Sequence, residues 1–134
     1  MRSNPYLMFD GRCAEAFAAY ARILGGEITV VQTHGAAQGD AAPAGWGDKI
    51  MHSELRFGEN LLMGSDAPPD WYEAPRGMSV ALILDSVDDG RGIFEALAEE
   101  GAVRLDFQEV PWAKGFGMLT DRWGIPWMIS AGPP

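Results

Sequence analysis

The chain repeats one order of elements in its two halves, and this repeat constrains the fold more than any other sequence feature. In the first half, a short apolar run at 6–9 precedes a stretch whose apolar residues are spaced for one face of a helix. Gly25 and Gly26 end that helix, because glycine readily adopts the left-handed conformation that follows a helix C-terminus. A strand rich in β-branched residues follows at 27–31. The first half therefore begins with the order strand, helix, strand.

The second half has the same order of elements. A strand is predicted at 80–84, the helix after it ends at Gly101, and extended structure resumes at 103–105. Each half then closes with a predicted hairpin, over 50–63 in the first half and over 116–130 in the second. The repeat therefore predicts an α+β fold made of two βαβββ modules.

The boundaries of the modules follow from the breaks between these elements. Module one is predicted at about 4–66, a proline-rich linker at 67–77 and module two at about 78–131, all within a single domain of 134 residues. The connection at 34–47 is longer than its counterpart in the second half. It is rich in glycine and alanine, which predicts a mobile loop.

Composition and charge exclude several classes of protein. The net charge is −9, from 19 acidic and 10 basic residues, which disfavours binding to nucleic acid or to an anionic membrane. No apolar run is long enough to span a membrane. Cys13 is the single cysteine, so neither a disulfide framework nor a multi-cysteine zinc site is expected. With no targeting segment evident, we expect a cytoplasmic protein.

Three segments resemble one known family. The opening segment 5–26 begins Pro-Tyr-Leu-x-Phe-x-Gly, the segment 52–66 begins His-Ser-x-Leu, and the second hairpin at 116–128 contains Thr-Asp-Arg-x-Gly-Ile-Pro-Trp. They resemble PhnB-like proteins, some of which are called 3-demethylubiquinone methyltransferases. That family is part of the vicinal oxygen chelate superfamily, together with glyoxalase I and bleomycin-resistance proteins.

The resemblance implies a fold, an assembly and a site. It implies that the two modules form curved mixed sheets around a cavity, with helices on the outer faces, and that the protein is a homodimer. The methyltransferase name would require a nucleotide-like cofactor, and the chain lacks a strand followed by a glycine-rich turn that could cradle one. We therefore expect no cofactor.

Superfamily enzymes hold a divalent metal with histidine and glutamate, and the resemblance places the corresponding positions in this chain. They fall at Tyr6 or the preceding Pro5, and at Met63, Ser79 and Met128. None of these side chains is a good ligand for a hard or borderline metal ion. The sequence therefore predicts that the superfamily's metal site is absent.

His52 and Glu54 could still give the site a catalytic or metal-binding function. Residues two apart in a strand project from the same face, so these two side chains are expected side by side on the concave face. They could act as an acid–base pair, with the carboxylate orienting the imidazole, or hold a metal completed by another residue. A hydrogen-bonded polar face without catalytic function is the simpler interpretation. Cys13, at a helix start, is either a nucleophile or a packing residue.

The expected ligand site is largely apolar with a few polar groups, as small-molecule pockets are. Tryptophans in polar segments, Trp46 and Trp71, are expected to form a ligand wall or a dimer seam. The predicted ligand-binding residues are Tyr6, Met8, His52, Glu54, Met63, Ser65, Ser79, Trp112 and Met128.

Three functions remain open from the sequence. The first is a metal-independent protein that binds a small, partly apolar molecule. The second is an enzyme of the lyase, isomerase or dioxygenase type that uses His52 and Glu54, with or without a divalent metal. The third is a domain that serves dimerisation or a protein contact, with its cavity filled by its own side chains.

Overall fold

Each half of the chain folds into a four-stranded mixed sheet with a helix packed on one face. The computed structural model describes residues 1–134 and divides into two compact units, residues 1–74 and 75–134. The units have equivalent strand orders, with the first strand of each parallel to its last and all other pairs antiparallel. The predicted α+β fold of two βαβββ modules is confirmed, and neither sheet closes into a barrel.

The first unit contains four strands and two helices. Its sheet has the order β1-β4-β3-β2. A 3₁₀ turn at Gly39–Ala41 follows the second helix. The elements are β1 (Tyr6–Phe9), α1 (Cys13–Leu24), β2 (Glu27–Thr33), α2 (His34–Gln38), β3 (Ile50–Phe57) and β4 (Asn60–Asp66).

The second unit contains four strands and one helix. Its sheet has the order β5-β8-β7-β6. The elements are β5 (Val80–Leu84), α3 (Val87–Ala98), β6 (Ala102–Val110), β7 (Ala113–Thr120) and β8 (Pro126–Ala131).

Helix α1 covers one face of the first sheet and leaves the other face open. It buries Phe17 and Tyr20, which form an aromatic cluster with Phe9 of β1. The helix approaches the sheet closely at Gly64, where a Cβ atom would lie 2.7 Å from the Phe17 ring. Gly25 then ends the helix at φ 68°, as predicted from its left-handed preference. Tyr6 of β1, His52 and Glu54 of β3 and Ser65 of β4 are left on the opposite face.

The segment predicted to be a mobile loop is partly helical and anchored. His34 begins α2 and is buried, with only 6% of its surface exposed. Its backbone N–H donates to the carbonyl of Lys49, and its Nε2 lies 2.9 Å from the carbonyl oxygen of Asp66. The ring of Trp46 packs edge-on against His34. These contacts join residues far apart in sequence, so local composition alone underestimated the order of this segment.

A buried carboxylate joins three parts of the first unit. Asp66, at the end of β4, is 1% exposed. Its Oδ1 accepts from the backbone N–H groups of Gly11 and Cys13 at 3.1 and 2.8 Å, and its Oδ2 accepts from that of Ile50 at 2.8 Å. The side chain therefore fixes the start of α1 and the start of β3 against the end of β4.

Asp121 has a corresponding role in the turn between β7 and β8. It is 3% exposed, and its Oδ1 accepts from the backbone N–H groups of Trp123 and Ile125, each at 2.9 Å. Its Oδ2 accepts from the indole Nε1–H of Trp127, also at 2.9 Å. Trp127 is fully buried on the α3 side of the sheet, which agrees with the strand alternation that places it opposite to Met128.

Candidate functional site

Six of the predicted ligand-binding residues lie on the open face of the first sheet. The strand register aligns Tyr6 with Met63 and Met8 with Ser65 across β1 and β4, and Met63 with Glu54 across β4 and β3. Side chains aligned in this way project from the same face. The residues that this face brings together are Tyr6, Met8, His52, Glu54, Met63 and Ser65.

Tyr6, His52 and Glu54 form a continuous hydrogen-bonded chain. The Tyr6 hydroxyl lies 2.9 Å from Nδ1 of His52, and Nε2 of His52 lies 3.0 Å from Oε2 of Glu54. The Tyr6 and His52 rings are stacked, with centroids 5.6 Å apart and planes inclined by 27°. Because β4 separates β1 from β3, the tyrosine side chain reaches across a whole strand to make this contact. We call these three residues the Tyr6–His52–Glu54 chain.

The positions of the protons in this chain follow from its chemistry. In the neutral form of the His52 imidazole, Nε2 donates to Glu54, because an ionised carboxylate only accepts hydrogen bonds. Nδ1 is then an acceptor, and the Tyr6 hydroxyl donates to it. Both ring nitrogens of His52 are thus engaged, and the imidazole is held in one tautomer and one orientation.

Tyr6 remains a neutral phenol at physiological pH. Burial raises the pKa of the Tyr6 hydroxyl above its usual value, and the nearby Glu54 carboxylate acts in the same direction. A hydrogen bond with Ser65 opposes this shift without cancelling it. The phenol therefore keeps the hydrogen that it donates to His52.

Apolar side chains flank the polar chain. Met8 and Val30 are each 38% exposed, and Val30 is aligned with Glu54 across β2 and β3. Met63, between Glu54 and Tyr6 in the register, is partly exposed. The surface combines polar groups with apolar flanks, as small-molecule sites do.

The remaining predicted ligand-binding residues belong to the second unit. Ser79 is exposed just before β5, and Met128 is half-buried on the face of its sheet that α3 does not cover. Trp112, in the turn between β6 and β7, is 59% exposed and packs edge-on against Phe116. Trp71 lies in the first unit, away from any strand, and is 80% exposed.

The residues present do not fit a superfamily-type metal centre. Tyr6 and Met63 occupy two of the expected ligand positions and offer a neutral phenol and a thioether. His52 and Glu54 supply two suitable donors, and these are already hydrogen bonded to each other. No group of three or more His, Cys, Asp or Glu side chains is arranged to hold a metal ion.

The structure disfavours Cys13 as a nucleophile. Its side chain, at the start of α1, is fully buried, and burial, reinforced by the Asp66 carboxylate, raises the pKa of the thiol strongly. The thiolate is the reactive form, so a raised pKa suppresses nucleophilic attack. This cysteine is a packing residue.

We expect the Cys13 thiol to react with Ellman's reagent at pH 8 at least about a hundredfold more slowly in the native protein than in urea, because reaction requires opening of α1. The raised pKa also predicts that stability falls as pH rises above about 9, the value for an unfolded thiol, because only the unfolded state then loses the proton. A Cys13→Ala variant should lack this component. Equal reaction rates in the two states would contradict the prediction.

The family is decided by a match along nearly the whole chain. The model of the 3-demethylubiquinone-9 3-methyltransferase family matches residues 2–130. The chain belongs to this family. It is 36% identical to Protein YjdN of Escherichia coli strain K12, and the match covers 97% of this chain and 95% of YjdN.

Solved structures of related proteins agree with this assignment. Protein PA1353 from Pseudomonas aeruginosa is 41% identical, with a TM-score of 0.91 over 98% of both chains. A PhnB protein from Bacillus cereus, described as a putative 3-demethylubiquinone-9 3-methyltransferase, is 22% identical, with a TM-score of 0.82 over 98% of this chain and all of that one. FosX from Listeria monocytogenes shares the glyoxalase/bleomycin-resistance fold at 11% identity and a TM-score of 0.65, covering 98% and 90% of the two chains. The resemblance to PhnB-like proteins is confirmed.

The family's name implies a methyl-donor cofactor, and the turns of this chain do not fit a nucleotide-like one. The turn between β1 and α1 contains one glycine, Gly11, and the turn between β5 and α3 contains none. Neither provides the glycine-rich loop that lets a backbone approach phosphate or ribose groups.

Among the helices of this chain, none has an apolar stretch of the length needed to span a bilayer.

Proposed function

We propose that this protein binds a small, partly apolar molecule on the open face of its first sheet without using a metal. The observation that carries the proposal is the Tyr6–His52–Glu54 chain, a partly exposed hydrogen-bonding array flanked by apolar side chains. The fold is shared with FosX, which is described as a fosfomycin resistance protein. That neighbour supports the idea that such a fold can hold a small molecule, and the donor set described above favours a metal-independent form.

A thermal-shift screen tests this proposal. We expect at least one member of a broad metabolite and antibiotic panel to raise the melting temperature of the wild-type protein, because a ligand that binds only the folded state stabilises it. The shift should persist with a chelator and be lost in His52→Ala. Glu59→Ala, in the exposed turn between β3 and β4, is the matched control and should keep it. A panel without any His52-dependent stabilisation would remove the support for this function.

The same chain of hydrogen bonds favours one second candidate, an enzyme of the lyase or isomerase type. Glu54 orients and polarises His52, which could exchange a proton with a ligand through Tyr6. Ligands found in the screen can be incubated in D₂O and followed by proton NMR. Loss of a carbon-bound proton that requires His52 would establish this activity in place of simple binding.

We further propose a homodimer, three additional ligand residues and a cytoplasmic location. A homodimer is expected from the resemblance, and light scattering of the purified protein measures it. Ser79, Trp112 and Met128 are proposed as additional ligand residues, and alanine variants of each test this in the same screen. A cytoplasmic location is likewise proposed.

A further inference from the structure

The centre of the open face offers hydrogen-bond acceptors and uses its own donors internally. The Tyr6 hydroxyl hydrogen and the Nε2 hydrogen of His52 are both already donated in hydrogen bonds within the Tyr6–His52–Glu54 chain. The Ser65 hydroxyl is engaged as well, in long contacts of 3.5 Å with the backbone carbonyls of Ile50 and Asp66 and in its hydrogen bond with Tyr6. By contrast, only Oε2 of Glu54 is occupied, which leaves Oε1 of the same carboxylate as a free acceptor.

The charge of this face also favours a ligand that donates hydrogen bonds, and in particular a cationic one. Glu54 is a carboxylate whose side chain is 23% exposed, so it is accessible to a ligand while partly removed from water. Arg56 is the single Lys or Arg on this face of β3, and the register places Glu27 directly opposite it. The surrounding charge is therefore not positive, and the whole chain carries −9. An anionic ligand would be repelled and a cationic one attracted.

Apolar surface begins immediately beside the free carboxylate oxygen. Glu54 is flanked in the register by Val30 on one side and by Met63 on the other, and Met63 is followed by the ring of Tyr6. Methionine and aromatic side chains accommodate apolar bodies of varied shape. This face therefore places a carboxylate oxygen directly beside an apolar surface.

From these observations, and resting on the function proposed above, we infer that the ligand class of this face is a small amine, bound as an ammonium ion with an apolar body. The ammonium group donates to Glu54 Oε1. The apolar body lies along Met63 towards the ring of Tyr6.

Three matched compounds test this inference: 3-phenylpropylamine, 3-phenylpropan-1-ol and 3-phenylpropanoate. Each is titrated into ¹⁵N-labelled protein, and the dissociation constant is taken from the amide shifts of β3 and β4. We expect the amine to bind at least about tenfold more tightly than the carboxylate, with the alcohol between them. Equal or tighter binding of the carboxylate, or no amine binding at millimolar concentration, would overturn the inference.

Variants separate a local effect of Glu54 from the general charge of the protein. Glu54→Gln should weaken binding of the amine by about tenfold and change binding of the alcohol little, because it removes the charge and keeps the shape. Glu59→Gln removes the same charge from the exposed β3–β4 turn and should leave both affinities unchanged. Equal losses in the two variants would overturn the inference.

The outcome also distinguishes this inference from the proposed function. If the wider panel contains neutral or anionic molecules that bind in a His52-dependent way and no amine is preferred, the inference fails and the proposed function stands. If no compound of any charge shows His52-dependent binding, both fail.

Discussion

Replacing Asp66 with alanine should lower the free energy of unfolding by about 4 kcal/mol, since three backbone N–H groups lose a charged acceptor. Two of these bonds are buried, so no water replaces the carboxylate at Cys13 or Ile50. A loss of this size is a large part of the stability of a typical domain. Urea unfolding followed by tryptophan fluorescence measures it, and the melting temperature should fall by about 15 °C.

Two further variants show whether the effect comes from the acceptors of Asp66. Asp66→Asn keeps the shape and one acceptor, but its amide nitrogen meets a backbone N–H. It should therefore cost about half as much as alanine. Asp70→Ala changes an exposed aspartate a few residues away and should alter stability by less than about 0.5 kcal/mol. Similar stabilities of the Asp66→Ala and Asp70→Ala proteins would show that the buried hydrogen bonds contribute little.

Replacing Asp121 with asparagine should cost about 2 kcal/mol, because the new amide group faces a donor. In the wild-type protein, Oδ1 serves two backbone N–H groups and Oδ2 accepts from the indole of Trp127. Asparagine can keep its oxygen towards the backbone, which leaves its NH₂ group pointing at the indole N–H. The buried indole then loses the acceptor that Oδ2 of Asp121 provides.

A double-mutant cycle isolates this contact. In a Trp127→Phe background the indole donor is already absent, so Asp121→Asn should cost at least about 1 kcal/mol less than in the wild-type background. Urea midpoints of the four proteins give the coupling energy. Asparagine and aspartate have nearly the same shape, so cavity formation contributes little to the loss of stability. Additive effects of the two substitutions would contradict the role of the indole as a donor to Asp121.

The order of elements could be predicted from the sequence because it depends on short-range periodicity. Helix and strand patterns, glycine at the end of α1 and the repeat of the same order in both halves specify two βαβββ units. The alternation along β3 also assigned His52 and Glu54 to one face, where their side chains lie 3.0 Å apart. The family resemblance followed from contiguous segments, and the match over residues 2–130 confirmed it.

The third member of the polar chain could not be assigned a hydrogen-bonding partner in the same way. Tyr6 meets His52 only because the sheet order places β4 between their strands and the phenol is long enough to cross it. The anchoring of His34 to Asp66 likewise depends on contacts between distant segments, and for that reason the loop at 34–47 was predicted to be mobile.

The repeat shared by the two halves of the sequence thus determines the two βαβββ units by itself, since periodicity and glycine positions act over a few residues. Tertiary structure decided what the open face of the first unit presents: a tyrosine, an imidazole in one tautomer and a carboxylate with one oxygen free to accept. It also decided that Asp66 is a buried acceptor rather than a surface charge. The physical reason is that a hydrogen bond is set by distance and direction in space, and a linear pattern carries neither for residues on different strands.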